Sequence, residues 1–346
     1  SSLVYCLRTP VGGPHGTFFR VLSGLLNDSL ISARKTRFHP LSVNPKTHHY
    51  ASIPKPSISV AFFFRDISLN TVKQGVRFPA SMTDTQICVT LRGHSVGDMI
   101  RDASRATAAG ADVVEVRFDN LYVNRIEIDP IVIKDADGDE VIKKQPPVME
   151  PRPIEEIDVA PSIQRLKDGI QIPVIFTCRS SEEGGYFHGD EENRIAILNA
   201  AIESEVSWID LEISIPSKDR KALVKACGDG TSIIASGHLP AASSSEEIVE
   251  YVTANSEAGT IIKCCYTNVR HSTSLHIFEA ANTLSESDIN VALMGNGPGG
   301  DWTRIHAPIL NQSLVYTTLD KDYSLVKRGH VNINDLRTAW GVLEYE

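Results

Sequence analysis

Thr260-Ile261-Ile262-Lys263-Cys264-Cys265-Tyr266 is an apolar run of seven residues, too short for a globular helix and too β-branched to favour one. It reads as a strand buried on both faces, the kind found in parallel sheets covered by helices. On its N-terminal side lies a helical stretch, 244–257, ending near Gly259; on its C-terminal side lies another, 272–285. The same alternation continues outward in both directions. Further strand-like segments occur at 86–91, 112–118, 173–178, 208–213, 232–237, 289–294 and 313–319, with helical stretches at 96–109, 190–204 and 217–227 between some of them. Gly110, Gly228 and Gly259 sit where left-handed helix ends are expected. Eight strands with intervening helices predict an α/β fold, a (β/α)8 TIM barrel starting near Gln86, with an open doubly wound sheet as the alternative.

Lys263 is the exception inside its strand. Burial disfavours the charged form of a lysine and favours a free, nucleophilic amine, the state that forms a Schiff base with a ketone. The ordinary alternative is a lysine whose stem packs while its ammonium escapes at the strand end. Other polar residues gather at the ends of neighbouring strands, where a barrel of this type collects its chemistry. Glu115 and Arg117 alternate with Val114 and Val116, and Asp119 follows on the same face. Arg179 ends the third strand, Glu183 opens a Glu-Gly-Gly turn, His238 ends the fifth strand, and Arg304 follows the seventh. Singly these have ordinary explanations, such as a Glu115–Arg117 ion pair. Together they point to a small anionic ligand.

Composition narrows the alternatives. The 346 residues are 42% hydrophobic and 22% charged, and no apolar run approaches the ~18 residues of a membrane span. Residues 1–81 hold ten Lys/Arg against Asp28 and Asp66, a net of +8; residues 82–346 hold 24 basic and 41 acidic groups, a net of −17. An acidic barrel argues against nucleic acid as a partner. The six cysteines lack metal-ligand spacing, which fits a reducing compartment better than a disulfide framework. Segment 1–81 is rich in Ser, Arg, Pro and His, has no sustained period, and precedes Met82, the first methionine. It reads as a disordered or non-native extension, either translated sequence upstream of the start or an organellar transit peptide.

Two local motifs invite other readings. An insertion, 124–168, separates the second and third strands. In it, 131–134 and 141–142 flank Asp135-Ala136-Asp137-Gly138-Asp139-Glu140 and predict a β-hairpin, followed by a rigid Pro-rich linker at 146–153 and a helix around 160–168. An EF-hand loop needs its glycine at position six and a glutamate at position twelve, and neither is present, so no metal is expected. Gly295-Asn296-Gly297-Pro298-Gly299-Gly300 satisfies G-x-G-x-x-G. It follows the seventh strand rather than the first, and Pro298 interrupts it, so a loop carrying Arg304 toward a carboxylate is the better reading than a nucleotide site.

The chain resembles the type I 3-dehydroquinate dehydratases over about 86–340. The resemblance rests on Val-Glu-Val-Arg-Phe-Asp at 114–119, Thr-Cys-Arg-Ser-Ser-Glu-Glu-Gly-Gly at 177–185 and Ile-Asp-Leu-Glu at 209–212. Ser-Gly-His at 236–238, Ile-Ile-Lys at 261–263 and Gly-His-Val-Asn-Ile-Asn-Asp-Leu-Arg at 329–337 extend it. It implies dehydration of 3-dehydroquinate to 3-dehydroshikimate in the shikimate pathway to chorismate and aromatic amino acids, with no cofactor and no metal. Carried over, Lys263 is the Schiff-base lysine, His238 the proton shuttle and Glu183 the group that orients it. Glu115, Arg117 and Thr90 bind substrate hydroxyls, Arg179 and Arg304 hold its polar groups, and Arg304 takes the carboxylate. Two features depart from the family. The loop before Arg304 is longer, and His330 stands where a glutamine is usual. Another class I Schiff-base aldolase, which would not need His238 and Glu183, and a catalytically impaired ligand-binding relative are the competing readings. A cytoplasmic homodimer is expected, or a plastid location if 1–81 is a transit peptide; the chain is then either monofunctional or part of a fusion.

Overall fold

The computed structural model describes residues 85–134, 139–143 and 145–345. The expectations for 1–81 and for the Asp135–Gly138 turn lie outside these residues. Twelve strands appear in chain order among the described residues. They are β1 (Gln86–Leu91), β2 (Val113–Arg117), β3 (Val123–Ile126), β4 (Ile131–Lys134), β5 (Glu140–Lys143) and β6 (Val148–Pro151). There follow β7 (Val174–Thr177), β8 (Trp208–Glu212), β9 (Ser232–Leu239), β10 (Ile261–Thr267), β11 (Val291–Asn296) and β12 (Leu314–Thr318). The helices are α1 (Val96–Ala108), α2 (Val159–Gly169), α3 (Glu191–Glu203), α4 (Ser217–Cys227) and α5 (Ser245–Ala254). After them come α6 (His271–Leu284), α7 (Gly300–Ile305), α8 (Tyr323–Val326) and α9 (Ile333–Leu343).

Eight strands form one parallel sheet in the order β11-β10-β9-β8-β7-β2-β1-β12. The two edges meet across a seam with no strand ladder, bridged where Ser313 N donates to Val291 O (2.9 Å) and Leu293 N to the Gln312 side chain (2.6 Å). The result is a near-closed TIM-like barrel, as the alternation predicts. Helix starts are set by side chains that accept from the first-turn N–H groups: Ser95 for α1, Asp190 for α3, Ser244 for α5 and Asn332 for α9. Helix α1 turns Val96, Met99, Ala103 and Ala106 inward at helical spacing. Each fully buried aliphatic side chain of this shell stabilises the fold by roughly 1.5–3 kcal/mol.

The strands alternate, so one residue set packs under the helices and the other fills the barrel. Inside, Cys88, Val113, Ile175, Ile234, Ile261, Ala292 and Leu314 make an apolar lower layer, with Met294 and Tyr316 above. Two residues further along several of these strands come Thr90, Glu115, Thr177, Asp210, Ser236 and Lys263, all directed to the same interior by the period of two.

Two expectations change. The Pro-rich stretch is not a linker: β6 pairs antiparallel with β3, and β4 with β5, so the insertion carries two ribbons. Prolines fit there because Pro147 precedes β6 and Pro151 ends it, where a missing donor costs no ladder bond. Gly259 is extended rather than left-handed, because a 3₁₀ turn, Ser256–Ala258, intervenes after α5. The glycine is needed for close approach, since a Cβ there would sit 2.9 Å from the Ile233 carbonyl oxygen.

Candidate active site

Lys263 lies on β10 in register with Ser236 of β9 and Ala292 of β11, and only 3% of it is exposed. Its Nζ donates to Asp210 Oδ2 at 2.9 Å and to Glu115 Oε1 at 3.5 Å, and stands 4.3 Å from the Tyr316 ring centroid. The amine therefore points across the interior and does not escape at the strand end. Glu115 is fully engaged: Thr90 Oγ1 donates to Oε2 (2.7 Å) and Thr177 Oγ1 to Oε1 (3.1 Å). Burial alone would raise its pKa, but Lys263, then Arg179 and Arg117, outweigh that and bring it down to about 2. Asp210 is likewise held well below the usual carboxylate range: burial is overcome by Lys263 and Arg179 and by the Ser236 hydroxyl, 2.5 Å away. Both carboxylates are anions at neutral pH, aimed at one amine.

The next layer toward the strand ends carries a second pair. His238, in register with Cys265 two residues beyond Lys263, places Nδ1 2.9 Å from Glu183 Oε2. The glutamate is delivered by a 3₁₀ turn, Ser181–Glu183, capped by Ser180 and closed by Gly184 at φ 77°. Ser214 Oγ donates to the other Glu183 oxygen. Burial pushes His238 down to about 4, helped by the Arg179 charge and only partly opposed by Glu183. Burial opposes the charge on Glu183 too, yet the hydrogen bonds from His238 and Ser214 keep it below its ordinary value. At neutral pH the imidazole is a free base whose tautomer is fixed by an anionic acceptor. That is the protonation state a proton-abstracting group requires.

The arginines divide by their partners. Arg179 is buried and loosely held, 3.4 Å from Asp210 and 3.8 Å from Glu212, with its Nε and Glu212 Oε1 both lacking a hydrogen bond. Arg117 does not pair with Glu115; it makes a bidentate contact of 2.9 and 2.7 Å with Asp119. Asp119 also accepts from Tyr186 N, which ties the second strand to the Glu183 loop. Arg304 is fully enclosed, and three backbone carbonyls, Gly295 at the end of β11 (2.6 Å), Gly300 at the start of α7 (2.7 Å) and Gly329 in the last loop (2.9 Å), accept from Nη1. Tyr316 O accepts from Nε at 3.3 Å. Arg304 thus binds loops together and has Nη2 without a protein acceptor among the described residues. His330 reaches Asn296 from the following loop, at 3.2 Å.

Thr90 and Lys263 meet at Glu115, His238 and Glu183 meet directly, and Arg179 contacts the first set through Asp210. Arg117, Arg304 and His330 sit around them in contacts of their own. Reasoning from sequence alone missed Asp210, the nearest partner of Lys263. Its signal was available, because Asp210 and Glu212 alternate with Ile209 and Leu211 just as Glu115 and Arg117 do with valines. Ser214 and Ser236 carried no such signal, since a serine after or within a strand is common. No group of three or more His, Cys, Asp or Glu arranged to hold a metal ion occurs among the described residues. No helix among them is long and apolar enough to cross a membrane. A cavity of about 430 Å³ lies at the opposite, N-terminal ends of β10 and β11, lined by Thr260, Ile262 and Asn290, away from this chemistry.

Comparison with known proteins agrees with the geometry. Curated relatives include the 3-dehydroquinate dehydratase of Methanothermobacter thermautotrophicus, 26% identical over 69% of this chain and 89% of that one. The bifunctional chloroplastic 3-dehydroquinate dehydratase/shikimate dehydrogenase of Arabidopsis thaliana is 26% identical over 72% of this chain and 36% of its own length. Among solved structures, type I 3-dehydroquinate dehydratase from Clostridium difficile, with covalent modified comenic acid, superposes with a TM-score of 0.61. It is 20% identical and covers 75% of this chain and 92% of its own, a likeness that speaks to fold. The model of the family described as type I 3-dehydroquinase matches residues 87–345, and the chain belongs to that family.

Proposed function

We propose that the protein is a 3-dehydroquinate dehydratase, a hydro-lyase working through a lysine Schiff base. The observation that carries the reading is the buried Lys263 amine with the neutral His238 imidazole, held by anionic Glu183, in the layer directly above it. Lys263 Nζ, held as a cation between Glu115 and Asp210 at rest, sheds one proton to water as substrate enters and adds to the ketone, whose oxygen leaves as water, giving an imine. The imine withdraws electrons from the adjacent carbon, and His238 Nε2 removes a proton there. The electron pair forms the new C=C bond as the ring hydroxyl departs, taking the proton back from His238 as water. Hydrolysis of the imine then returns the amine and releases 3-dehydroshikimate. His238 is used as base and then as acid, which suits a group oriented by an anion.

The remaining residues bind. Glu115, fixed by Thr90 and Thr177, accepts from substrate hydroxyls; Arg117, Arg179 and the unused Nη2 of Arg304 face its oxygens, and a carboxylate is the natural partner of a guanidinium edge. His330, neutral, donates from the closing loop. A homodimer remains the expected assembly. The test is an assay of the purified protein with 3-dehydroquinate, following the conjugated enone by near-ultraviolet absorbance. Appearance of product with no added metal or cofactor supports the reading; absence of product over hours at micromolar enzyme rejects it.

A further inference from the structure

The loop between β12 and α9 carries a cation that the reaction scheme does not use. We propose that Arg328 binds the carboxylate of the ring substrate from above the barrel mouth, tethered there by Asn296, and so helps select an anionic substrate. The inference rests on the dehydratase reading for the ligand and adds a residue to it.

Asn296 is the last residue of β11. Ala292 and Met294 belong to the interior cluster, whereas Gly295 faces outward, where a Cβ would strike the Asn268 side chain. Alternation therefore turns Asn296 inward at the rim. Its amide lies against both neighbours on the closing loop. With the nitrogen turned toward His330, Asn296 donates to His330 Nε2 (3.2 Å) and to the Arg328 carbonyl (3.2 Å), and accepts from Arg328 Nη2 (3.1 Å). Only this orientation gives each atom a partner of the right kind. Burial and then the charges of Arg304, Arg328 and Arg92 hold His330 down at about 3. The ring is neutral, accepts at Nε2 and carries its proton at Nδ1.

The loop is docked. Gly297 N donates to Arg328 O at 2.7 Å, and Arg304 reaches Gly329 O. Gly329 has φ 76°, and a Cβ there would lie 2.6 Å from Gly300 Cα, so the backbone beside Arg328 fits one way. Arg328 itself is exposed, and no carboxylate partners it among the described residues. The nearby Arg92, by contrast, is paired with Asp322 at 3.0 Å. Asn296 lies four residues beyond Ala292, the register partner of Lys263, or about 13 Å along the strand. An imine nitrogen at the Lys263 level, a six-membered ring, its carboxylate and the guanidinium contact fill that span.

Quinate, which has the ring and carboxylate but no ketone, reports binding without turnover. Titration calorimetry on the full chain would compare wild type, Arg328→Gln and Arg328→Lys, with quinamide as the neutral control and thermal melting to verify folding. We expect Arg328→Gln to weaken quinate by about ten- to a hundredfold, the range for one charge-assisted contact. Arg328→Lys should recover part of it, and quinamide should be indifferent to both. Unchanged quinate affinity, or equal loss for quinate and quinamide, overturns the proposal, as does a wild type that binds neither. Arg328-dependent quinate binding in a wild type that does not turn over 3-dehydroquinate would reject the dehydratase reading alone. Normal turnover with Arg328-independent binding would reject this inference alone.

Discussion

The lower and upper interior of the barrel are made by the same strands, two residues apart, with opposite chemistry. Ile234 and Ser236 share a face of β9, Ile261 and Lys263 a face of β10, and Val113 and Glu115 a face of β2. Below, the clustered side chains are apolar and close the barrel by packing. Above, Glu115, Asp210 and Lys263 are buried ions that hold one another. A strand period of two makes this economical, because one register places both layers. It also means that the two layers should fail differently when altered.

The largest effect is expected at Lys263. Lys263→Ala removes the amine of the polar layer, so turnover should vanish, and borohydride with substrate should add the mass of a reduced adduct to wild type only. An adduct on another lysine would end the assignment. Sequence alone suggests that alanine at this position merely leaves a cavity. The structure requires more, because Glu115 and Asp210 then lose their main counter-ion, and breaking a buried pair costs about 3–5 kcal/mol. The variant should therefore melt well below wild type.

His238→Ala should separate the two halves of the chemistry. Imine formation remains while proton transfer stalls, so trapped adduct accumulates and kcat falls by about two to four orders of magnitude. Wild-type turnover in this variant would mean that another group is the base.

Ile234→Ala probes the lower layer. Ile234 is fully buried, and its truncation should destabilise the fold by about 2–5 kcal/mol in denaturant titration. The rate per folded molecule should stay within a few-fold of wild type. A rate loss like that of His238→Ala would erase the distinction between the layers.

The same comparison explains what sequence made legible. Strands such as β1 and β10 were readable because apolar, β-branched runs have few other fates, and Lys263 and Glu115 stood out because a charge within such a run needs a partner. Asp210 stood out equally, but which partner it takes depends on closure of the sheet, a long-range event that no local window contains. Arg304 was only partly legible for a related reason. Its position after the glycine-rich loop says that it is near the mouth, yet its partners are carbonyls of Gly295, Gly300 and Gly329, which meet only once the end of β11, the start of α7 and the last loop have docked. The strand pair β3–β6 was hidden by prolines that are harmless at its ends.

Acid should separate the layers more gently. The folded pKa of His238, about 4, lies below its unfolded value of about 6.5, so the unfolded chain binds more protons between those pH values. Stability contributed by keeping the imidazole neutral is present above pH ~6.5 and lost as pH falls toward 4, by on the order of 3 kcal/mol. Chemical denaturation across this window should show a shallower slope for His238→Ala than for wild type. Parallel slopes would mean that His238 titrates normally in the fold. Glu115, held at about 2, should contribute only below its ordinary pKa, at the acid end of the same curves.

The smallest effect belongs to Ser214, the outermost member of the Ser214–Glu183–His238 chain. Its hydroxyl donates to the Glu183 oxygen that His238 leaves open, so it holds the carboxylate in plane without touching the imidazole. The contact is exposed to water, which can replace the hydroxyl, so Ser214→Ala should lower kcat by only a few-fold. Its signature is the pH profile. With one fewer donor, Glu183 becomes a slightly stronger base, supports His238 protonation better, and moves the acid limb of kcat/KM to higher pH. Ser214→Thr retains the hydroxyl and should restore the wild-type limb. A shift of the limb to lower pH, or an identical profile in all three proteins, would show that Glu183 is set by the Ser181–Glu183 turn alone and that the serine plays no part in orienting the base.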